Sequence, residues 1–432
     1  MRASAIVALT LLLIDPLPTQ ADTPVVNALA ARGRLGIPVE RARLLESELG
    51  QLFIVNVDGF GHADGPLALE PDFRPMVERL QVGGVIPHYG SSDYRKIRRT
   101  NRALSLMTRL PLLICCDIVR VRSTARGRSM SAAFGDGYVG GFIGRYRAMP
   151  DSRFRTLASL SAFVFAALGM NVALGPTVDD STQDPSTESR ARTVLEELSR
   201  FGLQPVLKHF PFQPTGANLH RSSPDTKVPL EIAEKRFSVF RDLAGLSTLL
   251  MTTHLNDSRV DGSIVTFSPA WLGILRRDTG FSGLLMSDGL LMLKNYKDRT
   301  GLEGGPQQAD LDPTAAWAVR AIIAGHDFVI VEGSAAQTIR AFDGVLSEAC
   351  TGTPVGNELA GRIEESYNRV RRFKESNEAL LTRQIDVPTS TIDEIIAMMP
   401  PENADLHAFR FPAGSLGAVA PQLAGTAEDG AP

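Results

Sequence analysis

Short apolar runs, each closed by Gly, Pro or Asp, alternate along the chain with longer stretches of helical periodicity. The runs cover 51–57, 82–88, 112–117, 170–176, 205–210, 249–254, 283–288 and 327–332. Between them the spacing predicts helices over 70–81, 93–109, 152–168, 187–201, 230–244, 269–278, 312–324 and 335–348. Strands apolar along both faces belong to a parallel sheet covered by its crossover helices, and eight such units are the number that closes a barrel. The fold class expected is therefore α/β, a (β/α)8 TIM-type barrel with room for irregularity. An amphipathic stretch over 357–374 adds an extra C-terminal helix, expected on the outside of the barrel. The competing architecture is a doubly wound open sheet. It would carry a Gly-rich phosphate turn after the first strand, and Val57-Asp58-Gly59-Phe60-Gly61-His62 lacks the helix start and ribose-binding acid that such a turn needs.

A barrel places its chemistry at the C-terminal ends of its strands. Polar residues gather there: Asp58, His88, Asp117 with Arg122, Asp179, Lys208 with His209, His254, Asp288 and Glu332. A barrel floor would not need so many charges, since an unpaired buried ion costs several kcal/mol.

Charge and composition narrow the partners. The 432 residues carry 45 basic and 48 acidic side chains, a net charge of −3, which offers no field for nucleic acid. The first residues read as a secretory signal peptide: Arg2, an apolar run over 5–14, then Thr19-Gln20-Ala21 as a cleavage site. Export to the periplasm or medium is expected, with residues 1–21 removed, a barrel with its C-terminal helix over 22–398, and a flexible tail over 399–432 that is rich in Pro, Ala and Gly. No integral membrane span is expected beyond the leader. The three cysteines, Cys115, Cys116 and Cys350, are too few and too close to form a disulfide framework. Cys115 and Cys116 are adjacent in one run and should face opposite sides of a strand as core residues. The seven His show no ligand spacing for a metal, no Gly-x-Ser-x-Gly elbow marks a serine hydrolase, and no cofactor is expected.

The strand-end residues resemble glycoside hydrolase family 3, in its β-N-acetylhexosaminidase branch, from about residue 49 to 374. Gly50-Gln51-Leu52-Phe53 and Val82-Gly83-Gly84-Val85-Ile86 look like its opening strands. The stretch 167–172, continuing to Pro176-Thr177-Val178-Asp179, looks like its fourth. Lys208-His209-Phe210-Pro211 is similar to the start of the K-H-F-P-G-H-G-D motif, and Met251-Thr252-Thr253-His254-Leu255 to its M-x-x-H strand. Phe267-Ser268-Pro269, Gly280-Phe281-Ser282-Gly283 and Met286-Ser287-Asp288 look like the region ending in S-D-D-L-x-M. The resemblance implies Asp288 as the nucleophile of a retaining exo-β-glycosidase working by double displacement on cell-wall or chitin-type oligosaccharides. It implies His220, four residues before Pro224, as acid/base, and Asp117, Arg122, Lys208, His209 and His254 as substrate-binding residues. Retaining hydrolysis needs an ionised carboxylate paired with an acid/base, and an imidazole titrating near neutrality can fill that second role.

Five places depart from the pattern. Ile118-Val119-Arg120-Val121 replaces the Gln-Glu-Gly-Gly turn, Phe212-Gln213-Pro214-Thr215 replaces Gly-His-Gly-Asp, and the long loop after Asp179 shortens to 180–186. The second Asp of S-D-D is Gly289, and Asn218-Leu219 precede His220 where the family has Asp-Ser. The alternative reading is thus a catalytically impaired family member that binds a glycan, such as a peptidoglycan fragment, or a protein partner.

Overall fold

Runs that are apolar at every position form strands buried on both sides. Residues 24–57, 73–87, 91–122, 129–133, 143, 146–179, 186–212, 228–295, 312–400 and 405–411 of the computed structural model are described, with backbone alone over 91–93, 118–122 and 129–133. Strands β1 (Phe53–Val57), β2 (Gly84–Pro87), β3 (Ser91–Asp93), β4 (Leu113–Cys116), β5 (Ile118–Arg122), β6 (Ser129–Ala133), β7 (Val172–Ala173), β8 (Gln204–Phe210), β9 (Leu249–Thr252), β10 (Leu284–Gly289) and β11 (Phe328–Val331) follow in chain order. Eight of them close a barrel in the order β1-β11-β10-β9-β8-β7-β4-β2, every neighbouring pair parallel. The fold is a (β/α)8 barrel, and each of the eight barrel strands falls on one of the eight apolar runs, β8 starting one residue before its run and β10 ending one residue after.

Alternation along the strands sorts side chains into two cores. Ile54, Leu113, Cys115, Val206, Leu249, Met251, Leu284, Met286, Phe328 and Ile330 pack inside the barrel, while Phe53, Val55, Ile114, Cys116, Leu250, Leu285, Val329 and Val331 face the helices. The two adjacent cysteines thus fall on opposite faces, both as free thiols.

The helices start where their caps allow. Ser268, Asp312 and Thr353 each accept a backbone N–H in the first turn of a helix that begins with Pro: Pro269–Thr279, Pro313–Ala324 and Pro354–Ser376. Ser334 and Gln337 form a capping box on Ala335–Ala349. The helix expected from residue 93 starts one residue later, at Tyr94, because Asp93 pairs in β3, and it ends at Leu104.

The extra C-terminal helix does not lie on the outside of the barrel along its whole length. The end of Pro354–Ser376 crosses the barrel floor, where Val370 and Phe373 meet the interior core. Lys374 Nζ reaches Gly83 O at 2.8 Å, and Arg369 reaches Gly283 O at 2.7 Å and Asp327 Oδ1 at 2.9 Å. The apolar stripe of this helix required a partner surface, and the open lower mouth of the barrel supplies one. Within the stretch from residue 399, Arg153 donates to His407 O and Phe409 O at 3.1 and 2.9 Å, so residues 405–411 lie against Asp151–Ala167. Residues 1–23, which contain the expected leader, lie outside the described residues. Among the described residues no helix is long and apolar enough to cross a membrane.

Candidate active site

The site is built where two strands carry an extra residue. Between Leu207 and Phe210, three steps on β8 oppose two on β9, from Leu250 to Thr252. Between Met286 and Gly289, three steps on β10 oppose two on β11, from Phe328 to Ile330. An extra residue re-aims the side chains around it. On β8 it allows two consecutive side chains, Lys208 and His209, to reach groups at the upper mouth, while Phe210 turns outward against Phe237, Phe240 and Trp271. On β10, buried Ser287 repairs the ladder by accepting the Ile330 N–H at 3.1 Å.

Asp288 follows at the end of β10, with 22% of its side chain exposed. Its Oδ1 accepts the N–H of Gly289 at 2.8 Å, and its Oδ2 lies 3.9 Å from His209 Nε2. Desolvation alone would raise its pKa. The charges of His209, His254 and Lys208 and the Gly289 N–H outweigh that effect and hold it below the ordinary carboxylate value. Asp288 is therefore an ionised carboxylate at neutral pH.

The surrounding residues are held in pairs. Lys208 Nζ donates to Asp117 Oδ1 at 2.8 Å. Burial raises the pKa of Asp117, and Lys208 and then His209 oppose it. His209 Nδ1 lies 2.5 Å from Asp179 Oδ2, and Asp179 is fully buried. This contact fixes the ring with Nε2 toward Asp288. His254, also fully buried, donates from Nε2 to the Gly289 carbonyl at 3.0 Å, and its Nδ1 lies 2.6 Å from Thr266 Oγ1. Among the described residues no group of three or more His, Cys, Asp or Glu is placed to hold a metal ion.

Five of the residues singled out in the sequence, Asp117, Lys208, His209, His254 and Asp288, meet at this mouth. Arg122 lies in β5, opposite Asp93 on one side and Ser129 on the other, and its side chain is outside the described part. His220 lies outside the described residues. Two partners were not assigned from the sequence, Asp179 for His209 and Thr266 for His254. Asp179 was visible as a strand-end carboxylate, but nothing local to Thr266 marked it.

The family model described as the glycosyl hydrolase family 3 N terminal domain matches residues 44–372. The chain belongs to that family. A beta-hexosaminidase of Vibrio cholerae serotype O1 (strain M66-2) is 23% identical over 339 residues, covering 73% of this chain and 94% of the relative. A beta-N-acetylhexosaminidase from Beutenbergia cavernae DSM 12333 shares the fold at a TM-score of 0.58 and 20% identity, over 77% of this chain and 98% of that one. A fungal multi-domain GH3 beta-N-acetylglucosaminidase superposes at a TM-score of 0.63 and 21% identity. The match covers 81% of this chain but spans only 42% of that longer protein. Lys208, His209, His254 and Asp288, which lie within the matched residues, are gathered at one mouth of the barrel.

Proposed function

We propose that this family 3 chain is a retaining exo-β-glycosidase of the β-N-acetylhexosaminidase type, acting outside the cytoplasm on cell-wall or chitin-type oligosaccharides. The observation that carries this reading is Asp288, an ionised carboxylate at the C-terminal end of a barrel strand and 3.9 Å from a histidine ring nitrogen. In the first displacement an Asp288 oxygen forms a bond to the anomeric carbon as the glycosidic C–O bond breaks, and the leaving oxygen takes a proton from a general acid. In the second, water gives up a proton to the conjugate base and its oxygen replaces Asp288, returning the starting configuration. His220 is the general acid in this proposal, by its place in the family pattern. Lys208, Asp117 and His209 grip ring hydroxyls, where charged donors and acceptors bind more strongly than neutral ones.

A second reading is favoured by one observation. Residues 118–122, where the sequence departs from the family turn, form β5 of a separate sheet ordered β3-β5-β6. A chain remodelled at the site in this way could bind a glycan or a protein partner without turnover.

Hydrolysis of 4-nitrophenyl N-acetyl-β-D-glucosaminide separates the two. The wild type should release nitrophenol with the β-anomer of the sugar as first product by NMR, and Asp288→Ala should lose on the order of 10⁴-fold in kcat/KM. A wild type that binds sugar and does not cleave it refutes the catalytic reading.

A further inference from the structure

Gly289 stands between two functional groups. On one side its carbonyl accepts His254 Nε2–H. On the other, the carboxylate of Glu332, the first residue beyond β11, presses so close that a methyl group on Gly289 would stand 2.3 Å from Glu332 Oε2 and 2.5 Å from its Cδ. Its φ is not in the left-handed region, unlike that of Gly280 or Gly333, so glycine is needed here for room rather than for backbone freedom. The position is also where the chain departs from S-D-D, so a carboxylate missing from β10 arrives instead from just beyond the neighbouring strand.

We propose that Glu332 is a sugar-contacting residue of this site, its half-buried carboxylate delivered over Gly289 to accept hydrogen bonds from hydroxyls of the ring held against Asp288. The inference rests on the glycosidase reading above and adds a residue to it. Three features support it. β10 and β11 are parallel neighbours, with Gly289 in register with Ile330, so Glu332 emerges at the same rim as the nucleophile. The carboxylate accepts only, which suits sugar hydroxyls. And the steric contact makes its location depend on residue 289 having no side chain.

The test uses the full chain as Glu332→Gln, Glu332→Ala, Gly289→Ala and the Gly289→Ala/Glu332→Ala double variant. Each is assayed for KM and kcat on 4-nitrophenyl N-acetyl-β-D-glucosaminide, for binding of N-acetylglucosamine by calorimetry, and for thermal midpoint. Glu332→Ala should weaken sugar binding and lower kcat/KM by about 10- to 100-fold, the effect of a lost hydrogen bond to a charged group. Glu332→Gln, which keeps the shape, should recover part of this. Gly289→Ala should displace the carboxylate and lose as much as Glu332→Ala, and the double variant should be no worse than either. The inference is overturned if Glu332→Ala matches the wild type in both binding and turnover, if the losses add in the double variant, or if they track a fall in thermal midpoint that Glu332→Gln shares. A wild type that binds N-acetylglucosamine but does not cleave the nitrophenyl glycoside sinks the hydrolase reading alone, and the binding series then decides on Glu332. A wild type that does neither overturns both.

Discussion

Replacing Lys374 with methionine should change how the stability of this protein depends on pH. The side chain is fully buried in the barrel floor, with Nζ 2.8 Å from Gln51 Oε1 and 2.8 Å from Gly83 O. Burial drives its pKa from 10.5 down to about 7, against a weaker pull from Cys115. The folded value lies below the unfolded one. Between those two values the unfolded chain binds a proton that the folded chain has released, so stability rises with pH. The contribution is full above 10.5 and is lost as pH falls toward 7. A gap of that size corresponds to about 5 kcal/mol, and the part released between pH 7 and 8.5 is about 2 kcal/mol. Lys374→Met keeps an unbranched side chain only one heavy atom shorter and removes the titration. Gly83 O retains the Leu113 N–H, while Gln51 Oε1 loses the Lys374 donor at a cost of about 1–3 kcal/mol that does not vary with pH. Urea unfolding followed by the fluorescence of Trp271 and Trp317 at pH 7.0, 7.5, 8.0 and 8.5 measures both proteins. The wild type should gain about 2 kcal/mol relative to the variant across that window. Cys115, pushed up to about 12, lies above the window. Glu48, raised to about 7 by burial and then by Glu364, titrates in both proteins alike and cancels. Parallel stability curves would refute the reasoning, because they would mean that the amine stays protonated inside the fold.

Two further outcomes are expected. Asp179→Asn replaces the carboxylate that orients His209 and should lower kcat/KM by about tenfold or more, with unchanged kinetics ruling out that role. If residues 1–21 are a leader, protein recovered from the periplasm or medium of an expressing bacterium should begin at Asp22 by mass spectrometry; an intact Met1 in that fraction would refute export by this route.

Much of the site was legible because its residues break a simple pattern. Lys208, His254 and Asp288 are polar residues at the closed ends of otherwise apolar runs, and on a barrel those ends share one rim. The helix Pro354–Ser376 was legible as an element but not as a floor. Its stripe states that a face must be buried, and only the open mouth left by the closed strands states where; Lys374 and Gln51, which meet there, are 323 residues apart in sequence. The small sheet of β3, β5 and β6 was not read at all, since 118–122 continues an apolar run that had already been assigned to β4.

The sequence by itself determined the eight strands and the two-sided burial that makes them a barrel. Both follow from periodicity, a local property of the chain. Tertiary structure alone decided which groups face one another: His209 with Asp179, His254 with the Gly289 carbonyl, Glu332 over Gly289. Those pairings depend on closure and on the extra residues in β8 and β10, and a one-residue shift in register leaves no trace in the composition of a run while it reverses the direction of every side chain beyond it.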